Sequence, residues 1–225
     1  PGSGDGVTGL DFRLKGPGIY AVVGEVGSGK STLLKLLTGL VPCTEGGIHL
    51  NGTELGEVSP DYLVSQIGYV PQESVLFSQS VGENVRLGRE MDDETVSRCL
   101  ATAGLDGTEL EAGAKTGLGQ GGTGVSGGQK RRVAIARALA GNPSLLLFDD
   151  CTAALDAEKE DAFWRALESV RSDAMILVVS HRLATVKRSS RVIFLHRGRQ
   201  QAFDSHGSLM KSSRLYRLVL SAEME

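Results

Sequence analysis

The sequence predicts an α/β fold: a mostly parallel sheet covered by helices, with antiparallel edge strands near the N-terminus and a helical lobe inserted into it. Three observations carry this. First, short continuous apolar runs alternate with helix-spaced segments, which is how strands buried on both faces and joined by crossover helices read. Second, no strong strand pattern lies between Pro71 and Pro143. Third, glycines cluster at 16–29, 46–52, 104–128 and near 198, marking loops that approach a ligand closely.

The elements follow in order. Residues 7–14 alternate weakly and are read as an antiparallel edge strand. Residues 19–23 are a continuous apolar run ending in Gly24, and residues 31–40 follow with helical spacing that stops at Gly39 and Pro42. Strand-like runs recur at 48–50, 67–70, 144–148, 175–179 and 191–195, and helical patterns fall at 94–103, 129–140 and 157–170. The boundaries expected are a sheet core over 1–71 and 143–225 and a helical subdomain over 72–142.

Bulk composition narrows the classes. With 40% hydrophobic and 23% charged residues the chain is neither disordered nor fibrous, and 225 residues suit one domain with an insertion. A net charge of -3 gives no electrostatic reason to expect nucleic acid as a partner. Cys43, Cys99 and Cys151 are unpatterned, which argues for a reducing compartment rather than a disulfide framework. No apolar run approaches the length of a membrane span, and the start at Pro1 reads as a piece of a longer chain. A membrane partner is then expected on another segment or polypeptide.

The chemistry starts at Gly24, Glu25, Val26, Gly27, Ser28, Gly29, Lys30, Ser31 and Thr32, where the first eight fit G-x-x-x-x-G-K-[ST]. By chance such a match arises in roughly one chain of this length per hundred, and here an apolar strand leads in and a helix leads out. Backbone amides of residues 27–31 can wrap a phosphate at the positive end of the following helix. Lys30 reaches phosphate oxygens, and Ser31 offers a hydroxyl to Mg²⁺. The apolar run 144–148 then ends in Asp149, an acid placed to hold Mg²⁺ at a strand's C-terminal end. Loop and acid together define a phosphate-loop NTPase core, a class that includes helicases, kinases, GTPases and recombinases.

The segment Val125, Ser126, Gly127, Gly128 and Gln129, followed by Lys130, Arg131 and Arg132, resembles the signature of ATP-binding cassette proteins, with Val in place of the usual Leu. Other segments resemble the same family in order: Pro71-Gln72 its Q-loop, Asp149-Asp150 the end of its second phosphate motif, Ala154-Leu155-Asp156 its D-loop, and Ser180-His181 its switch histidine. The resemblance spans essentially the whole chain. It implies ATP and Mg²⁺ as ligands, with Ser31, Gln72 and Asp149 around the metal. It further implies Asp150, His181 and Gln72 as the residues acting on the attacking water and γ-phosphate. The signature would act in trans, on ATP held by a second cassette in a head-to-tail dimer. By itself, Ser126-Gly-Gly also reads as a helix cap.

Three departures qualify what the resemblance implies. Asp150 stands where active members usually carry Glu; this shortens the reach by about an ångström, a misplacement that can cost on the order of 10²-fold in rate. That feature is similar to the degenerate half of heterodimeric exporters. The loop 116–122 has lost the acids and Arg usual in exporters. The aromatic that stacks on adenine is expected upstream of Pro1, because Tyr20 lies within the first apolar strand. Residues 75–77, 81–85 and 215–218 resemble exporter segments, which implies transmembrane domains, N-terminal on the same native chain, and a place on the cytoplasmic side of a membrane. An importer ATPase and a cassette that uses ATP mainly as a dimerisation switch stand as alternatives. His49, His196 and His206 have no motif around them and read as solvated or structural.

Overall fold

A computed structural model describes residues 6–105, 109–110, 112–153 and 155–222. Its described residues divide into two compact units, one drawn from residues 6–64, 147–150 and 175–222 and the other from residues 65–146 and 151–174. Pro1-Gly2-Ser3 and Ala154, on which the missing aromatic and part of the D-loop motif were read, lie outside the described residues.

In the first unit, β1 (Gly18–Val23) runs parallel to β6 (Met175–Val179) on one side and to β7 (Arg191–His196) on the other. The end of β5 (Leu145–Asp149) lies beyond β6, and β8 (Arg199–Asp204) closes the other edge, giving the order β5-β6-β1-β7-β8. Ala21, Val22, Leu177 and Val178 have no exposed surface, which is why these strands read as unbroken apolar runs. One face packs Ala21, Val23 and Phe194 against Val186 of α7 (Leu183–Arg188), Leu209 of α8 (His206–Ser212), and Tyr216, Val219 and Leu220 of α9 (Arg214–Ala222). Tyr216 is fully buried, and its hydroxyl meets His206 Nδ1 at 2.9 Å.

The antiparallel pairs form at two tight turns. Asn51-Gly52, with φ of 53° and 89°, joins β2 (His49–Leu50) to β3 (Thr53–Glu54); Arg197-Gly198, with φ of 48° and 71°, joins β7 to β8. Positive φ at both central residues is what a two-residue hairpin turn of the I′ type demands. Residues 7–14, read as an antiparallel strand, form a single bridge, Thr8 beside Arg199, and in the parallel sense. Gly9 at φ 62° interrupts the segment, and Asp11 pairs through its backbone with the Gln200 side chain instead of a ladder. The antiparallel edge of the larger sheet is β8.

Following α2 (Pro60–Gln66) in the chain, the second unit contains β4 (Ile67–Val70), the start of β5, and the helices α3 (Val81–Arg86), α4 (Asp93–Thr102), α5 (Gly127–Ala140) and α6 (Ala157–Val170). Gly68 of β4 has no room for a Cβ against Ala138 O of α5, so helix and strand backbones meet closely there. Val133, Ile135 and Ala136 of α5 are fully buried, and so is Leu167 of α6. Helix starts are capped by Ser80, Asp92, Ser126 and Asp156, each accepting from the backbone amide three residues on.

Candidate functional site

In the first unit the loop leaves β1 at Gly24 and enters α1 (Lys30–Leu37) through Gly29. Gly27 and Gly29 have φ of 79° and 92°, conformations that favour glycine, and α1 has no side-chain cap at its N-terminus. Gly24 is pressed against Leu195 O and Ser28 Oγ, so no Cβ fits there. Lys30 is buried, and its Nζ donates to Gly24 O at 2.5 Å and Glu25 O at 2.8 Å, folding the side chain back over the loop. Ser28, 1% exposed, has no hydrogen-bond partner for its hydroxyl among the described residues. An uncapped helix start, a buried ammonium and a buried hydroxyl on glycine-shaped backbone suit a polyanion.

Ser31 and Thr32, half-buried in the first turn of α1, complete the predicted loop, and Val26 is exposed at its tip. Asp149 is 3% exposed at the end of β5. Asp150 follows at φ 52°, its amide donating to Val179 O at 3.1 Å, which sets the end of β5 beside the end of β6. Ser180 continues β6, donating through its amide to Val22 O at 3.4 Å and accepting from Arg182 N, with His181 between them. The ends of three neighbouring strands therefore gather Gly24, Asp149, Asp150 and His181 in one unit, at the C-terminal edge where open α/β sheets bind ligands. Among the described residues no cluster of three His, Cys, Asp or Glu could hold a metal. Asp149 and the Ser31 hydroxyl are hard oxygen donors of the kind Mg²⁺ takes when substrate phosphates complete its shell.

The second unit carries the other predicted segments. Ser126 caps α5 with its hydroxyl on Gln129 N (3.2 Å), while Gln129 Oε1 accepts from Ser126 N (2.7 Å). This capping box leaves Ser126 and Gly127 exposed at the helix start, preceded by the half-buried Val125 and followed by the half-buried Gly128. The Gln129 amide also donates to Glu109 O at 2.5 Å, and Arg132 Nη2 meets Glu109 Oε2 at 2.8 Å. The Arg132 hydrogen bond holds the Glu109 carboxyl below the usual carboxylate range. Gln72 is exposed, with its carbonyl accepting from Arg131 Nη2 at 3.0 Å. Asp156 caps α6 through Lys159 N at 2.8 Å. In the loop 116–122, Ser80 bridges Gly117 and Leu118 N donates to Gln79 O at 3.1 Å.

Three ties lie outside the motifs: Arg131 to Gln72, Gln129 to Glu109, and Glu25 to the β7–β8 turn, where Glu25 Oε1 lies 3.1 Å from His196 Nδ1. None has a sequence signal, because each links residues 20 to 171 positions apart. Tyr20, excluded as an adenine platform, is buried, with its hydroxyl donating to Lys15 O at 2.7 Å.

Loop, helix and strand-end acids together define a nucleoside-triphosphate-binding α/β domain. Residues 7–153, well over half of the chain, match the family described as ABC transporter. The chain belongs to the ABC transporter family and is an ATP-binding domain.

Among solved structures it is similar to a bacterial Atm1-family ABC exporter with ATP bound, at a TM-score of 0.91 and 34% identity, covering 97% of this chain and 39% of that one. It is 38% identical to a mitochondrial potassium channel ATP-binding subunit of Xenopus tropicalis, over 92% of this chain and 31% of that protein. Against an ATP-dependent lipid A-core flippase of Desulfotalea psychrophila it is 35% identical, over 95% of this chain and 38% of that protein. The chain thus spans about a third of the length of the curated relatives it matches. Among the described residues no helix is long and apolar enough to cross a membrane.

Proposed function

We propose that this chain is the ATP-driven motor domain of an exporter, working beside transmembrane domains on the cytoplasmic face of a membrane and closing head-to-tail on a second cassette. The observation that carries the trans-acting part is the capped but exposed start of α5. Ser126, Gly127 and Gly128 present a hydroxyl and bare backbone at a positive helix end, with Ser126 fixed by its own cap. The resemblance of the solved ATP-bound exporter across 97% of this chain supports the exporter reading over the importer one.

Within its own site, residues 24–32 bind the triphosphate and Lys30 compensates the charge on its terminal oxygens. Ser31 and Asp149 would hold Mg²⁺, which when bound neutralises charge developing on the transferred phosphoryl group. Asp150 accepts the proton of the attacking water, His181 orients the γ-phosphate end, and Asp156 heads the helix that meets the partner. The core and helical subdomain of this mechanism are residues 1–71 with 143–225 and residues 72–142. With the shorter Asp150 as base, turnover at its own site is slow, as in the degenerate half of a heterodimeric pair.

Sedimentation and phosphate release on one preparation test the whole scheme. Mg-ATP should drive the parent chain into a dimer, and Ser126→Arg should stay monomeric while still binding ATP. An unchanged ATP-dependent dimer in Ser126→Arg would refute the head-to-tail reading.

A further inference from the structure

Glu25 places a carboxylate in the middle of a loop that takes a polyanion. Its backbone is bound into that loop: Glu25 O accepts from Ser28 N at 3.0 Å and from Lys30 Nζ at 2.8 Å. Its side chain, by contrast, reaches out to the β7–β8 turn. Oε1 lies 3.1 Å from His196 Nδ1 and accepts from Arg197 N at 3.3 Å. The turn offers that amide because Arg197 sits at φ 48°, in the left-handed conformation the two-residue hairpin requires. The loop also sits against the end of β7 just before that turn, since Gly24 leaves no space for a Cβ against Leu195 O. One hairpin therefore supports the loop's first glycine and captures its one acidic side chain.

We propose that His196 is a positioning residue for nucleotide binding, which together with the Arg197 amide diverts the Glu25 carboxylate from the triphosphate and fixes the carbonyl on which Lys30 rests. The inference rests on the assignment of residues 24–32 to the triphosphate. A half-exposed contact of this kind contributes little to stability as such; its effect lies in where the negative charge is put. Released from the hairpin, the carboxylate can swing towards the ammonium of Lys30, to whose acceptor it is covalently attached. There it competes with phosphate oxygens and repels them. One misplaced unit charge beside a triphosphate at partly screened distance weakens binding by roughly three- to tenfold.

The experiment is a calorimetric titration of Mg-ATP into the full chain for the parent, His196→Ala, His196→Gln, Glu25→Gln, the double variant His196→Ala/Glu25→Gln, and Lys30→Ala. His196→Ala is expected to bind three- to tenfold more weakly, and His196→Gln, which keeps a polar group at the turn, to bind within about twofold of the parent. The double variant is expected to match Glu25→Gln, because no charge is left to misplace. A merely structural role for His196 would not be rescued by neutralising Glu25. Parental affinity in His196→Ala overturns the proposal, as does a double variant as weak, relative to Glu25→Gln, as His196→Ala is relative to the parent. Lys30→Ala separates the two levels: if it loses binding while His196→Ala does not, only this inference fails, and if it binds like the parent the loop assignment fails with it.

Discussion

Lengthening one side chain at Asp150 tests the slow-site reading directly. Its amide is tied to Val179 O at 3.1 Å, so Asp150→Glu adds one methylene to a backbone that stays in place. The carboxylate then advances by about an ångström, and recovery of a misplacement of that size is worth 10- to 100-fold in rate, or ~1.4–2.7 kcal/mol of activation free energy. The same substitution has a cost elsewhere. Asp150 sits at φ 52°, a conformation that Asp tolerates better than longer residues. A penalty below ~1 kcal/mol corresponds to a loss of no more than about 2–4 °C in the unfolding midpoint. Rate and stability should thus move in opposite directions. Steady-state phosphate release and thermal unfolding of parent and variant, alone and mixed with any co-encoded second cassette, measure both. Turnover of several per second by the unmodified chain alone would refute the slow site. An Asp150→Glu variant no faster than the parent would refute the one-methylene explanation.

Other outcomes follow from the same geometry. Lys30→Ala should weaken Mg-ATP binding at least about tenfold by calorimetry, since a charge-assisted contact to phosphate is lost along with the bonds to Gly24 O and Glu25 O. Tyr216→Phe should lower the urea midpoint by an amount equivalent to about 1 kcal/mol, because the buried hydroxyl's bond to His206 disappears. Burial, and then Lys187, hold His206 below the usual histidine range, so the folded state favours the neutral ring. Its stabilising effect is present above the unfolded histidine value, about pH 6.5, and is lost as pH falls below it. Urea midpoints measured between about pH 7.5 and 5.5 should fall more steeply for the parent than for His206→Gln.

The parts of the fold legible from sequence were those with a local pattern. β1, β5, β6 and β7 are buried on both faces and so read as plain apolar runs, and α5 and α6 carry their caps, Ser126 and Asp156, immediately before the helical spacing begins. β8 was missed because Arg-Gln-Gln-Ala-Phe-Asp is a polar edge strand, defined by the Arg197-Gly198 turn and not by its own composition. The Asn51-Gly52 turn was an available signal for β3, since both central residues suit positive φ. Residues 7–14 gave the opposite error: alternation without enough apolar weight was read as a ladder, and a Gln200 side chain took the place of backbone pairing.

The candidate site divides along the same line. The motifs proposed for its chemistry are each contiguous, so the spacing of Gly24 to Lys30 or Ser126 to Gln129 survives in the sequence whatever the rest of the chain does. What holds those motifs in place is not contiguous. Lys30 rests on Glu25, Glu25 on a turn about 170 residues later, and that turn on the hairpin geometry of Arg197 and Gly198. In the second unit, Gln129 completes the Ser126 cap while its amide holds Glu109 O, so the exposed signature depends on a residue with no motif of its own. Local pattern therefore proposes which groups do the chemistry, and only the folded chain shows what holds those groups in place. Variants at His196 or Glu109 should accordingly change affinity and trans function without touching any residue that the motifs name.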